Sequence, residues 1–328
     1  MGVSCKNKVP VTKSNSEVFN FYEWGQNAHC SDKTKAILDS ANTKTIFLHF
    51  FDVINHTFNN DYSEPYPTYI INKIDSCYCD YEIVPVVFIA NSVSFEYDLH
   101  NKISNLVDQI SLSHFKKKFQ KLQLDCDWNE HSKSSYFSLI DSLSKKFEVS
   151  VTIRLHQIKY KYDTGIPHVK KGVLMLYNVG ELGKFDENSI LESSIVDEYI
   201  SPDSEYPLEL NIALPLFSQT VLKNNDGSLK LIQGQHRSEL EESKNIFRKI
   251  NENVYLVRKD TLFKGFYLSK GFMIKIDEVN FEEIDKSYEI VKFSKLITRD
   301  IILYRLDDQL INNMKFNKII KKLKHLKK

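Results

Sequence analysis

Two aspartates, Asp125 and Asp127, lie two residues apart in the run KLQLDCDW. Side chains alternate between the two faces of a strand, so both carboxylates share one face, with Cβ atoms about 6.5–7 Å apart. At that range one charge raises the pKa of the other carboxyl group, and a nearby cation lowers a carboxyl pKa. Arg154 and His156, which alternate in the next run, EVSVTIRLHQ, can supply that cation. The pattern predicts acid/base or nucleophilic chemistry on a glycosidic bond, with Asp125 and Asp127 as catalytic residues.

A structural interpretation of the same residues stays open. Asp125, Asp127 and Arg154 can form a buried ion-pair network, since charged clusters of this kind often serve stability. Binding of a divalent cation by Asp125, Asp127 and His156 is a weaker interpretation, because the sequence does not establish ligand spacing across strands. We therefore predict no metal and no cofactor.

Further polar and aromatic residues stand at the ends of strand-like runs. Glu23 ends the first run and is a third catalytic candidate. Trp24, Trp128 and Tyr177 offer flat apolar faces on which a sugar ring can pack, although each taken singly is more often a packing residue. The predicted substrate-binding residues are Arg154, His156, Tyr177, Asn178, Trp24, Trp128, Asp52 and Asn91.

Strand-like and helical patterns alternate along the chain. Runs rich in β-branched and aromatic residues occupy 17–25, 44–54, 81–91, 121–128, 148–157, 171–180, 208–217 and 300–308. Helical spacing occupies 31–43, 68–76, 98–120, 134–147, 187–200 and 281–297. Alternating strands and helices indicate a parallel sheet, and eight such strands indicate closure. We predict an α/β fold, a single (β/α)₈ TIM barrel at 17–328 with an elaborated region between strands 7 and 8, at about 218–280.

The barrel determines where the polar strand faces point. The apolar faces of the fourth and fifth strands must pack on helices, so the polar faces line the lumen, towards the carboxyl ends where barrel enzymes keep their active sites. In an open antiparallel sheet the polar faces would instead meet solvent. The intervening helices favour the lumen, because they cover both faces of a parallel sheet.

Composition is that of an ordinary globular protein. The 328 residues carry a net charge of +1 and are 42% hydrophobic, which excludes disordered and collagen-like chains. Near-zero net charge gives no global field for nucleic acid, so we predict no nucleic-acid partner, although the C-terminal run IIKKLKHLKK is locally basic. Phosphate-loop, G-x-G-x-x-G, G-x-S-x-G and H-E-x-x-H motifs do not occur. The oligomeric state is left open.

The cysteines bear on location. Val3-Ser4-Cys5 ahead of a polar stretch is similar to a bacterial lipoprotein cleavage site, which makes 1–16 a flexible tether and places the protein in the cell envelope or periplasm. Otherwise Cys5 is a chance residue in a frayed N-terminus and the protein is cytoplasmic. Membrane contact is predicted only through that lipid. Cys30, Cys77, Cys79 and Cys126 allow one or two disulfides, and parity makes Cys126 a packed thiol.

Several segments carry a resemblance. FLHFFDV, IVPVVFIAN, LQLDCDW, VTIRLHQIKYKYDTGIPHVKKGVLMLYNVG and YPLELNIALPLF resemble an uncharacterised, Bacteroidetes-type family of glycoside-hydrolase-like TIM-barrel proteins, often lipoproteins. Asp125-Cys126-Asp127-Trp128 also resembles the D-x-D-W part of the fourth-strand motif of family 18 chitinases. The motif's catalytic acid falls at Asn129, with Glu130 one residue late. The resemblance implies the fold more firmly than the activity.

Two functions follow as expectations. The first is a glycosidase-like protein that acts on carbohydrate through the lumen carboxylates of strand 4. The second is a non-catalytic glycan-binding or structural envelope lipoprotein on the same scaffold, since a fold does not dictate a function.

Overall fold

A computed structural model describes residues 18–58, 62–93, 98–232 and 237–306, together with Leu323. The predicted tether with Cys5 and the basic C-terminal run, Leu323 apart, lie outside the described residues.

Eight parallel strands form a closed barrel, which confirms the predicted (β/α)₈ fold. In chain order they are β1 Phe19–Glu23, β2 Thr45–Phe58, β3 Glu82–Ile89, β4 Lys121–Asp125, β5 Glu148–Ile153, β6 Lys171–Met175, β7 Glu209–Pro215 and β8 Thr298–Tyr304. Each strand pairs with its sequential neighbour, and β1 pairs with both β2 and β8, which closes the ring. All eight parallel strands overlap the strand-like runs of the sequence. Seven of them contain β-branched or aromatic residues, whereas β4 contains neither and is buried through its leucines and polar lumen residues.

Helices follow most of the strands and cover the barrel. They are α1 Asp32–Ser40, α2 Leu99–Phe115, α3 Lys133–Leu143, α4 Leu155–Lys159, α5 Lys161–Thr164, α6 Ser193–Tyr199 and α8 Phe281–Lys292, while α7 Arg237–Glu242 belongs to the region between β7 and β8. Helix α1 begins where the Ser31 hydroxyl accepts a hydrogen bond from the Thr34 backbone at 3.1 Å. Helix α2 buries Ile103, Val107 and Ile110 on one face. Within the described part of the chain, no helix is long and apolar enough to cross a membrane.

The helix predicted at 68–76 is wrong. Strand Tyr62–Thr68 runs antiparallel to the far end of β2, and Lys73–Ile74 pairs in parallel with Asn27–Ala28. A 3₁₀ helix follows at Ser76–Asp80. The apolar spacing of this segment fits a helix, but pairing with distant strands decides its conformation, and a local pattern does not contain that information.

A disulfide ties this region to the barrel. Cys30 pairs with Cys77, with their Cα atoms 6.3 Å apart. The sequence left the pairing open. Cys126 is a buried free thiol in the core, in keeping with its parity, and burial raises the pKa of that thiol.

The region between β7 and β8 forms a second sheet, which confirms the predicted elaboration. Its five antiparallel strands are, in spatial order, Leu229–Ile232, Gln219–Lys223, Met273–Asp277, Val254–Val257 and Phe247–Lys249. A small hairpin, Thr261–Phe263 with Phe266–Leu268, joins it. Leu222, Tyr255 and Ile274 belong to a hydrophobic cluster of this sheet that is separate from the barrel core.

Candidate functional site

The chain beyond β4 carries alternate residues to opposite sides. Asp127 points into the open, with its side chain 48% exposed. Trp128 is fully buried: its ring stacks on Tyr136 with centroids 5.3 Å apart, and its Nε1 donates to the Thr164 carbonyl at 3.0 Å. The structure thus places the Trp128 indole in the helix layer and away from the open side, because the alternation that exposes Asp127 turns Trp128 inward.

The chain beyond β5 turns into a helix sooner than predicted. β5 ends at Ile153, and α4 begins at Leu155. The Arg154 backbone N–H donates to the Gln157 side chain at 2.8 Å, a cap that fixes the first turn. His156 therefore lies on α4, and the strand face that it was predicted to share with Arg154 does not exist.

Arg154 and Asp127 form a two-pronged ion pair. Arg154 Nε lies 2.5 Å from Asp127 Oδ1, and Nη2 lies 3.3 Å from Oδ2. Arg154 Nη1 also donates to the Tyr177 carbonyl at 3.4 Å. Burial disfavours the charged guanidinium, but the Asp127 carboxylate outweighs this effect and raises the pKa of Arg154. The pair lies at the surface of a cleft and is not the buried network of the structural interpretation.

Asp125 lies deeper, inside the lumen. It is only 6% exposed, and the Thr152 hydroxyl donates to its Oδ1 at 2.7 Å. Burial raises the pKa of Asp125, and the negative charge of Asp127 raises it further. The Arg154 charge and the Thr152 hydrogen bond lower this pKa, but they do not reverse the shift. The environment therefore shifts the Asp125 carboxyl group towards its protonated form, relative to a carboxyl group in water.

A row of aromatic rings stands beside the ion pair. Tyr177 stacks on Tyr304 with centroids 4.5 Å apart, and Tyr304 meets Trp24 edge-on at 5.8 Å. Tyr177 is only 2% exposed, so its ring packs in the barrel and its carbonyl faces Arg154. Sequence reasoning missed Tyr304, although an aromatic residue within the last strand-like run was a signal for it.

A histidine in β2 contacts two predicted residues. His49 is fully buried, and its Nε2 lies 2.7 Å from Asp52 Oδ1. Its ring centroid lies 4.6 Å from that of Trp24. His49 was also missed, although a lone polar residue inside FLHFFDV marks a side chain with a specific partner.

Two predicted residues serve local contacts. Glu23 is 8% exposed, and the Tyr78 hydroxyl donates to its Oε2 at 3.0 Å. The Ser132 hydroxyl donates to Asn91 Oδ1 at 2.5 Å. Neither Glu23 nor Asn91 lines the cleft described next, so the structure does not support the catalytic part predicted for Glu23 or the binding part predicted for Asn91.

The cleft lies at the carboxyl ends of β4, β5 and β6 and encloses about 430 Å³. Four of the predicted residues meet in it, namely Asp127, Arg154, His156 and Asn178. The remaining lining comes from the loop after β6 and from the inserted sheet, as Gly180, Leu182, Ser189, Gln219 and Leu231. The sequence did not single out these residues. Ser189 and Leu231 lie outside the strand-like runs, and Gly180 and Gln219, although close to strand ends, carry no titratable or aromatic side chain.

The cleft is close to electroneutral. Asp127 and Arg154 neutralise one another, and burial lowers the pKa of His156, which favours its uncharged form at neutral pH. In the described part of the chain, no group of three or more His, Cys, Asp or Glu side chains is placed to hold a metal ion. The chemistry of the lining is therefore mainly hydrogen bonding.

Asn129, where the chitinase resemblance places the catalytic acid, belongs to a turn. Its Oδ1 accepts hydrogen bonds from the backbone N–H groups of His131 at 2.9 Å and Ser132 at 3.2 Å. This arrangement leads into α3 and is typical of an Asx turn at a helix start. The side chain thus has a local structural role.

The comparisons with known proteins reveal a shared fold. The chain matches no family model, and no curated protein matches it in sequence. Across 94% of this chain and 100% of the other, it is similar to the C-terminal domain of a candidate chitinase from Desulfitobacterium hafniense DCB-2, with 9% identity and a TM-score of 0.52. It is also similar to the spore cortex-lytic enzyme of Bacillus megaterium QM B1551, with 11% identity and a TM-score of 0.50 over 95% of this chain and 76% of that one. The class that the comparisons define is thus the (β/α)₈ barrel, and at these identities the likeness concerns the fold alone.

Proposed function

We propose that this barrel binds a neutral carbohydrate in the cleft above the Asp127–Arg154 ion pair, without hydrolysing it. The ion pair is the observation that carries the proposal. Asp127 is the carboxylate that lines the cleft, and both of its oxygens are engaged by one guanidinium. A carboxylate fixed in this way is a poor proton donor or nucleophile but a good anchor for hydroxyl groups.

Three further features support binding without turnover. Asp125 is buried beneath the cleft, so it is not placed to touch a ligand there. The position of the chitinase acid is taken by Asn129, whose side chain is used in a turn. Glycosidic hydrolysis in most families needs two carboxyl groups that flank the bond, and among the described residues that line the cleft there is one carboxylate, Asp127.

A glycosidase is the second candidate, and one observation favours it. Burial raises the pKa of Asp125, while its neighbour Asp127 is held in an ion pair. Two carboxyl groups in contrasting environments are the arrangement from which acid and base roles arise. This candidate requires a movement that exposes Asp125 to a ligand.

One experiment separates the two candidates. Calorimetric titration with chitotetraose, cellotetraose and maltotetraose is paired with chromatography of each sugar after long incubation with the protein. The chitin fragment is included because a structural neighbour is named as a candidate chitinase. The proteins are the wild type, Asp127→Asn and a control, Glu148→Gln, which removes an exposed carboxylate paired with Lys171 outside the cleft.

The expected result is binding by the wild type and by Glu148→Gln, weaker binding by Asp127→Asn, and intact sugar throughout. Shorter products formed by the wild type and lost in Asp127→Asn would establish the glycosidase instead. No binding of any of the three sugars would contradict the proposal.

A further inference from the structure

We infer that Gln219 is a specificity-determining residue of the cleft, whose amide oxygen accepts a hydrogen bond from a hydroxyl or amide N–H of the bound sugar. Ser189 is a positioning residue that fixes the orientation of this amide. The inference rests on the proposed function, since it names the part of the site that selects the ligand.

The orientation of the Gln219 amide depends on a buried ion pair of the inserted sheet. Lys275 and Asp277 are 1% and 0% exposed, with Nζ 3.1 Å from Oδ2. Lys275 also donates to the carbonyl oxygens of Lys184 at 2.8 Å and Glu187 at 3.1 Å, both in the loop that follows β6. The pair therefore fixes this loop, which carries Ser189, against the inserted sheet.

Asp277 in turn decides what Ser189 can offer. The Ser189 backbone N–H donates to Asp277 Oδ2 at 3.2 Å, and Lys275 approaches the same oxygen, so Oδ2 is an acceptor. The Ser189 hydroxyl also bonds to this oxygen and must be the donor. Its single hydrogen is thereby used, and towards the cleft the hydroxyl oxygen presents only lone pairs.

Gln219 is the last member of this hydrogen-bonded chain, on the side of the cleft. Its Nε2 lies 2.8 Å from the Ser189 hydroxyl oxygen, and only the amide NH₂ can satisfy an acceptor there. The amide cannot flip without setting two acceptors against each other, so Oε1 is held away from Ser189. Gln219 lines the cleft, so this oxygen is available to a ligand that donates.

The test uses calorimetric titration of the full chain with chitotetraose and cellotetraose. One neutral hydrogen bond corresponds to roughly a three- to tenfold change in affinity, so Gln219→Ala and Ser189→Ala are expected to weaken binding by about that factor. Gln219→Glu is expected to weaken binding at least as much, because a carboxylate has no hydrogen for the Ser189 oxygen. Gln109→Ala, on the exposed face of α2, is the matched control and should bind as the wild type does.

A double-variant cycle separates positioning from loss of fold. If Ser189 acts through Gln219, the double variant Ser189→Ala/Gln219→Ala binds no more weakly than Gln219→Ala alone. Additive losses, or full affinity in Gln219→Glu, would overturn the inference while the proposed function stands. If the wild type binds none of chitotetraose, cellotetraose and maltotetraose, both the inference and the proposed function are overturned. Thermal unfolding of each variant verifies that the titrated protein is folded.

Discussion

The buried pair Lys275–Asp277 offers a sharp test of the energetics that we assign to the inserted sheet. In Lys275→Met the carboxylate loses its cation, and the carbonyl oxygens of Lys184 and Glu187 lose a donor. Removing one partner of a buried pair typically costs about 3–5 kcal/mol, because a charge is left without compensation. Asp277 keeps two donors from Ser189, so we expect the lower end, about 3 kcal/mol.

The double variant Lys275→Met/Asp277→Asn removes both charges of the pair, so neither side chain is left as an uncompensated charge. We therefore expect it to lose about 2 kcal/mol less than the sum of the two single variants, a coupling typical of groups in direct contact. Lys171→Met is the control, since its exposed pair with Glu148 should contribute less than about 1 kcal/mol.

Urea unfolding followed by circular dichroism measures all four variants against the wild type. A loss below about 1 kcal/mol in Lys275→Met would refute the reasoning, since it would mean that Asp277 does not need its cation. Additivity in the double variant would refute it as well, because two independent side chains would then account for the losses.

Three further changes have expected outcomes. Burial raises the pKa of Asp125, so the folded protein holds this proton more tightly than the unfolded chain does, and the wild type loses stability as the pH rises above the ordinary value of 3.8. Asp125→Asn should remove this loss, which urea unfolding at acid and at neutral pH would measure. Trp128→Ala should cost about 3–5 kcal/mol in urea unfolding, since the indole is fully buried, and a cost under about 1 kcal/mol would contradict that packing. Cys30→Ser opens a loop of 47 residues and should cost about 2–4 kcal/mol, whereas equal stability of variant and wild type in the absence of reductant would argue against the bond with Cys77.

The fold was accessible from the sequence because its signals are local. Most barrel strands are runs rich in β-branched and aromatic residues, and the helices between them favour one closed parallel sheet. The site was accessible only in part. Parity placed Asp125 in the lumen, but alternation cannot reveal that Gln157 caps a helix at Arg154 and ends the strand. Contacts over long sequence separations, such as Gln219 with Ser189, leave no local pattern.

Carboxylates at the mouth of a barrel are weak evidence for hydrolysis by themselves. The hydrogen-bond and ion-pair partners of these carboxylates are more informative, and here they favour binding. A catalytic carboxyl group must be able to exchange its proton while it touches the reacting bond. Both oxygens of Asp127 bind Arg154, and Asp125 is buried against Thr152. In this conformation, neither carboxyl group is placed to exchange a proton with a bound ligand. Hydrogen-bonding groups remain available around the cleft, and the orientation of Ser189 and Gln219 depends on the buried Lys275–Asp277 pair of the inserted sheet. Preorganised donors and acceptors of this kind are what recognition of a neutral sugar requires.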